Sequence, residues 1–227
     1  MTVIVPSKNL LVTMSPKVAC TSIKTALFQV ENGFPFTPFN CCGSFRSIHH
    51  PAIYPALDFA SAEKLMDRNR MDPFKTRKFT VVRDPVSRFL SAYTNRVTYY
   101  RDMERECAQN PEIRSQFDEL GLPAVPDLDV FIDNFEHYVK LSPSIRLHTR
   151  RQIYFLGDDA AFYTGVFSFN RIHEFEAAIS ECIGSDFRLE KLQTGGEKIS
   201  PDVLSPAHLT KIRRIYAKDF DVYSRFF

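Results

Sequence analysis

Tryptophan is missing from this chain, glycine is scarce at 8 of 227 residues, and no apolar run is long. No window approaches the ~18 residues that a membrane-spanning helix needs. No asparagine is followed two residues later by serine or threonine, so there is no acceptor for N-glycosylation. The opening "MTVIVPSKNLLVTMSPK" lacks the basic start and unbroken apolar centre of a signal peptide. The five cysteines, Cys20, Cys41, Cys42, Cys107 and Cys182, are odd in number and show no C-x-x-C spacing. That argues against a disulfide framework or a structural zinc, and for reduced thiols in a cytoplasmic protein. Neither sign of charge dominates, with 29 basic and 27 acidic residues. That balance gives no argument for bulk attraction to nucleic acid or to a membrane, and any anion site must come from local clustering. What remains is an ordinary globular composition, 44% hydrophobic and 25% charged, in a chain long enough for one domain with a sizeable core.

Apolar runs and breakers predict strands alternating with helices. Leu10–Met14 reads as a buried strand and Ser22–Val30 as a helix, with Gly33 at its stop. Residues 34–60 read as a long irregular connection with a short strand near Phe45–Ile48. Ala60–Asn69 is a helix. Lys78–Val82 is a second buried strand. Asp84 caps a helix with Pro85 in its first turn, and that helix runs from Val86 to about Tyr100. Residues 101–127 form a helical excursion and loop, and Leu128–Val139 a helix. Gln152–Leu156 and Val166–Phe169 read as late strands, Arg171–Cys182 as a helix. Ser205 and Pro206 open a last helix ending near Phe220. The order implies an α/β sandwich with a mainly parallel sheet, whose ligands sit beyond the carboxyl ends of the strands.

Two strand–loop–helix turns carry polar residues at such ends. In "LVTMSPKVACTSIKTAL" a helix beginning at Thr21 or Ser22 offers free N–H groups and a positive dipole end. The hydroxyls of Thr21 and Ser22 add donors, Lys17 adds a mobile charge, and Lys24 is positioned to reach outward one turn on. The layout is that of a phosphate loop, yet G-x-x-x-x-G-K-[ST] is absent and no glycine is near. In "KFTVVRDPVSRFLSAYTNRV" Arg83 leaves the strand end, and Ser87 and Ser91 share one helix face beside Arg88. Two anion clamps on neighbouring strands point to a ligand with two separated phosphate groups.

The segments "PKVACTSIK" and "RDPVSRFLSAY" resemble the two signature motifs of the sulfotransferase superfamily. The resemblance is nearest to the carbohydrate sulfotransferases that include the chondroitin and dermatan enzymes and their bacterial relatives. It implies a P-loop-like three-layer α/β sandwich with a mainly parallel central sheet, and a single sulfotransferase domain over residues 1–227. The donor implied is PAPS (3′-phosphoadenosine-5′-phosphosulfate), with no metal. Carried over by motif, Lys17, Thr21 and Ser22 hold the 5′-phosphosulfate, and Ala19 and Cys20 let the backbone approach it. Arg83 and Ser91 hold the 3′-phosphate. "LHTRRQIYFLG" is similar to the family's His-x-x-Pro-Gln segment, with Arg151 where proline is usual. "FNRIHEFEAAISECIG" and "RRIYAKDFDVYSRF" are similar to later family segments. Lys198, in "TGGEKIS", is a further candidate for the nucleotide, although Thr194 stands where relatives often have asparagine. The acceptor implied is a carbohydrate or polysaccharide, with no nucleic acid partner. Arg146, Arg150 and Arg151 are candidates to face an acidic glycan.

Sulfuryl transfer leaves negative charge on the oxygen that stays with the nucleotide, and a fixed cation there favours the transition state. Lys17 is the candidate. A sugar hydroxyl also needs a general base. In "SFRSIHHPAIY" His50, then His49, are the candidates, in a region where family members place a catalytic histidine. His148 and Glu63 are the rivals. Two other readings stay open at this point: a P-loop-like nucleotide-dependent kinase, and a non-catalytic nucleotide- or polyanion-binding module.

Overall fold

In the computed structural model, which describes residues 1–55, 58–192 and 195–227, the first apolar runs become two adjacent strands, β1 (Thr2–Val5) and β2 (Leu10–Met14). All five residues of β2 are buried, as a run without polar alternation requires when both sheet faces are covered. α1 (Cys20–Asn32) follows and stops at Gly33, whose φ of 75° suits glycine. β3 (Phe39–Cys41) and β4 (Ser44–Arg46) pair as a separate two-stranded hairpin. α2 (Phe59–Arg68) is capped by Asp58, whose carboxylate accepts from the Ser61 N–H, and β5 (Arg77–Val82) comes next.

The chain then divides into two compact units. The first comprises Met1–Arg83, Gln152–Gln193 and Asp221–Phe227; the second comprises Asp84–Arg151 and Thr194–Phe220.

The second unit is helical. α3 (Pro85–Ala92) begins at Asp84, whose side chain accepts from the Ser87 N–H. It opens into a π-helical stretch, Tyr93–Tyr99, where a continuous α-helix was expected. α4 (Asp102–Gln109), α5 (Pro111–Glu119), α6 (Leu128–Asp133), α7 (Phe135–Leu141) and α8 (Pro143–Thr149) follow. The single helix expected over 128–139 is broken between α6 and α7, where the Asn134 amide turns back to donate to the Val130 carbonyl. Phe89, Phe131, Phe135, Tyr138 and Tyr216 fill this unit's core, with Phe89 and Phe135 edge to face at 5.3 Å.

The first unit resumes with α9 (Gln152–Leu156), β6 (Gly165–Ser168) and α10 (Ile172–Ile183). The expected strand over 152–156 is thus a short helix. Gln152, Phe155 and Leu156 are its buried residues, a spacing of three and four that one helix face satisfies and strand alternation cannot. α11 (Pro206–Ile215) belongs to the second unit, and α12 (Ala217–Tyr223) follows it; the expected single last helix breaks at Tyr216.

The sheet of the first unit has the order β1-β2-β5-β6. β2 pairs with β5 and β5 with β6 in parallel, while β1 joins β2 antiparallel. β1 was not anticipated from the sequence. Helices cover both faces. Leu10, Val12 and Met14 pack with Ile23 and Leu27 of α1 and with Phe175 and Ile179 of α10. Leu11, pointing the other way, packs with Met66 of α2 and with Met71. Each such side chain contributes roughly 1.5–3 kcal/mol of burial. The fold is therefore a mixed α/β structure with a mostly parallel central sheet. Among the described residues no helix is long and apolar enough to cross a membrane.

Candidate active site

At the carboxyl end of β2 the chain enters a loop of unusual handedness. Lys17 has φ 72° and Ala19 φ 61°, while Val18 between them is not left-handed. A side-chain-bearing residue in this region costs about 1–2 kcal/mol. Alternating hand turns successive backbone N–H groups toward one side, the geometry of an anion-binding nest. The loop adopts this handedness without a glycine. Ala19 is the N-cap of α1 and offers no side-chain cap. The first helical hydrogen bond runs from the Ile23 N–H to the Ala19 carbonyl at 3.0 Å. The amides of Cys20, Thr21 and Ser22 precede it in the first turn of α1.

Arg83 lies just past the carboxyl end of β5, the strand beside β2. Its guanidinium donates to the Lys17 carbonyl at 3.1 Å and stacks 4.7 Å from the centre of the Phe169 ring. Its backbone is held by Gln152. The Gln152 Oε1 accepts from the Arg83 N–H at 3.1 Å, and its Nε2 donates to the Arg83 carbonyl at 2.9 Å. Ser15 also donates to that Oε1, at 3.4 Å. Gln152 had no role assigned from the sequence; its one signal was its place in "LHTRRQIYFLG", the segment similar to the family's His-x-x-Pro-Gln.

The two adjacent histidines point to different partners. His49 Nε2 is 2.8 Å from the Thr21 hydroxyl, and its backbone N–H donates to Ser47. His50 is turned toward its own loop. Its Nδ1 accepts from the Ala52 N–H at 3.1 Å, and the Arg46 guanidinium contacts its ring nitrogens. Glu63 is exposed on α2.

Two residues of the first loop lie differently from expectation. Lys24 does not reach outward: it is 1% exposed, with its ammonium 5.3 Å from the centre of the Tyr54 ring. Burial lowers its pKa to about 8, opposed by the nearby Cys20 thiol. Ser22 is buried too, and its hydroxyl accepts from the Leu192 N–H at 3.3 Å. Lys17, Ala19, Cys20 and Thr21 are partly exposed.

The remaining candidates belong to the second unit. Ser91 is partly exposed on α3. Arg88 is fully buried, donating to the carbonyls of His148 (3.3 Å) and Arg150 (2.6 Å) and stacking on Tyr216; it braces α8. His148 Nδ1 bonds the Ser144 carbonyl at 2.8 Å. Arg146, Arg150 and Arg151 are exposed, and Arg151 donates to the Ile215 carbonyl. Lys198 is exposed, and Thr194 lies outside the described residues. Among the described residues no three His, Cys, Asp or Glu side chains gather as a metal site would need.

A glycine-free loop with left-handed residues at Lys17 and Ala19 thus stands at the end of a parallel strand, with Arg83 on its Lys17 carbonyl and His49 on the Thr21 hydroxyl. The chain belongs to the sulfotransferase family: the family model of that description matches residues 1–224. That membership makes it a transferase and supports sulfuryl transfer as its chemistry. No curated protein and no solved structure matches it significantly.

Proposed function

We propose that this protein is a PAPS-dependent sulfotransferase acting on a hydroxyl of a carbohydrate or polysaccharide, with a P-loop-like three-layer fold and the whole chain as one sulfotransferase domain. The observation that carries the donor is the alternating backbone of Lys17 and Ala19 ahead of the uncapped start of α1. PAPS supplies a sulfuryl group on a good leaving group. The amides of Ala19, Cys20, Thr21 and Ser22 cradle the 5′-phosphosulfate, and the Thr21 hydroxyl orients it. Arg83 takes the 3′-phosphate; Ser91 keeps the part in this that the motif resemblance implies. Five free cysteines fit the reducing cytoplasm proposed for it.

In the transfer, the acceptor oxygen attacks sulfur as the bond from sulfur to the bridging phosphate oxygen breaks. The Lys17 ammonium stabilises the charge that grows on that oxygen. His49 takes the acceptor's proton at Nε2, which exchanges its contact with the Thr21 hydroxyl for the acceptor hydroxyl as Thr21 turns to the phosphosulfate. His49 is proposed ahead of His50 because its Nε2 lies 2.8 Å from the Thr21 hydroxyl, at the place proposed for the donor, while His50 is turned toward its own loop. The assignment of a carbohydrate acceptor rests on the motif resemblance. The test is a glycan screen with radiolabelled PAPS, run without added metal and with radiolabelled ATP in parallel. Label transfer from PAPS alone supports the reading. Transfer from ATP alone, or from neither donor to any glycan, overturns it.

A further inference from the structure

We infer that Gln152 is a positioning residue for recognition of the donor's 3′-phosphate, acting through Arg83; the inference rests on the proposed role of Arg83. β5 pairs with β2 as far as Val81 opposite Met14, and with β6 as far as Val82 opposite Ser168. Arg83 is the next residue, and the ladder has ended. Its backbone N–H and carbonyl still need partners, because orphaned groups at a buried strand end are costly. The Gln152 carboxamide supplies both. It donates to the carbonyl at 2.9 Å and accepts from the N–H at 3.1 Å, the two-bond pattern that a neighbouring strand residue would make.

This paired amide does more than fill a gap. Gln152 is fully buried, and an amide held at both ends has one orientation. It fixes the backbone from which the Arg83 side chain leaves, and so the path of the guanidinium to the Lys17 carbonyl and the Phe169 face. The same Oε1 accepts from Ser15 at 3.4 Å, two residues before Lys17. One side chain thus sets the register between the loop that cradles one phosphate and the arginine that reads the other. An apolar residue of the same size would fill the space and lose this register.

The test is a ratio that plain destabilisation does not move. Affinities for adenosine 3′,5′-bisphosphate and for adenosine 5′-phosphate are measured by calorimetry on the full chain, for the native protein, Arg83→Ala, Gln152→Leu and Gln152→Asn. Arg83→Ala should collapse the preference for the bisphosphate. Gln152→Leu should reduce that preference by about tenfold or more, the scale of a misplaced hydrogen bond to a charged group, with 5′-phosphate affinity nearly kept. Gln152→Asn retains an amide but withdraws it by one methylene; it should lose preference too, and it carries the test if the leucine variant does not fold. If Arg83→Ala collapses the preference while both Gln152 variants keep it, or weaken both ligands equally, the positioning role is wrong and the reading of Arg83 stands. If Arg83→Ala leaves the preference intact, Arg83 does not read the 3′-phosphate, and both ideas fall.

Discussion

The Thr21 hydroxyl and His49 Nε2 lie 2.8 Å apart, joining the first turn of α1 to the chain that follows the β3–β4 hairpin. The sequence placed His50 ahead of His49 as the candidate base; the contact is made by His49, and it is the ground on which His49 is proposed instead. Adjacent loop residues point apart, and His50 spends its Nδ1 on the Ala52 N–H.

Replacing His49 with alanine should therefore lower turnover by roughly 10²–10⁴, the value of a positioned general base, and leave bisphosphate affinity nearly unchanged. His50→Ala should retain most of the activity. The rate of the native enzyme should rise with pH through the base's titration, and His49→Ala should lose that rise. Full activity in His49→Ala, with collapse in His50→Ala, His148→Ala or Glu63→Ala, would move the base to that residue.

Lys17 carries two features that one substitution can separate, its ammonium and its left-handed backbone. Lys17→Ala removes the first and keeps a Cβ at the second. Turnover at saturating donor should fall by about 10²–10³, the scale of a lost transition-state charge stabiliser. Bisphosphate affinity should fall less, because the nest and the start of α1 remain. Unchanged turnover with a large loss of affinity would make Lys17 a binding residue alone.

The legible part of the molecule was its local chemistry. Pro16, Lys17 and the Thr21–Ser22 pair between an apolar run and a helical pattern located the loop, and Asp84–Pro85 located the start of α3. What escaped needed tertiary partners. Lys24 was expected at the surface; only the packing of Tyr54 against α1 shows it buried, since a lysine in the first turns of a helix carries no local sign of its face. "QIYFL" has the composition of a strand, and its helical turn is set by Gln152 pairing with Arg83 while Phe155 and Leu156 enter the core. β1 is too short to announce itself, and it forms because β2 offers an open edge. The absence of glycine concealed the handedness of the loop, which Lys17 and Ala19 adopt nonetheless.

That handedness makes a prediction about stability. Ala19→Gly relieves a left-handed cost of about 1–2 kcal/mol, offset by the roughly 0.5–1 kcal/mol that glycine loses in chain entropy. The urea midpoint should rise slightly, with unchanged slope. A β-branched Ala19→Val should lower it, since such residues tolerate positive φ least. Equal stability of all three proteins would mean that position 19 is not left-handed in solution.

Lys24 gives the stability a pH dependence of definite sign. Burial lowers its pKa from 10.5 to about 8. Below pH 8 the lysine is charged in folded and unfolded chains alike, and the full cost of burying the charge is present. Between pH 8 and 10.5 the unfolded chain holds a proton that the folded one has released, so stability rises with pH. Lys24→Met keeps the length and apolar stem of the side chain and removes the charge. The variant should be more stable at pH 7 by on the order of 1–3 kcal/mol. That advantage should shrink as pH climbs from 8 toward 10. Tyrosines that ionise in the unfolded chain above pH 10 affect both proteins alike and cancel in the difference. Paired urea titrations at pH 7, 8, 9 and 10 measure it. A difference that stays constant across that range would show that Lys24 is not charged against its surroundings at neutral pH, and the pH dependence would then belong to another group.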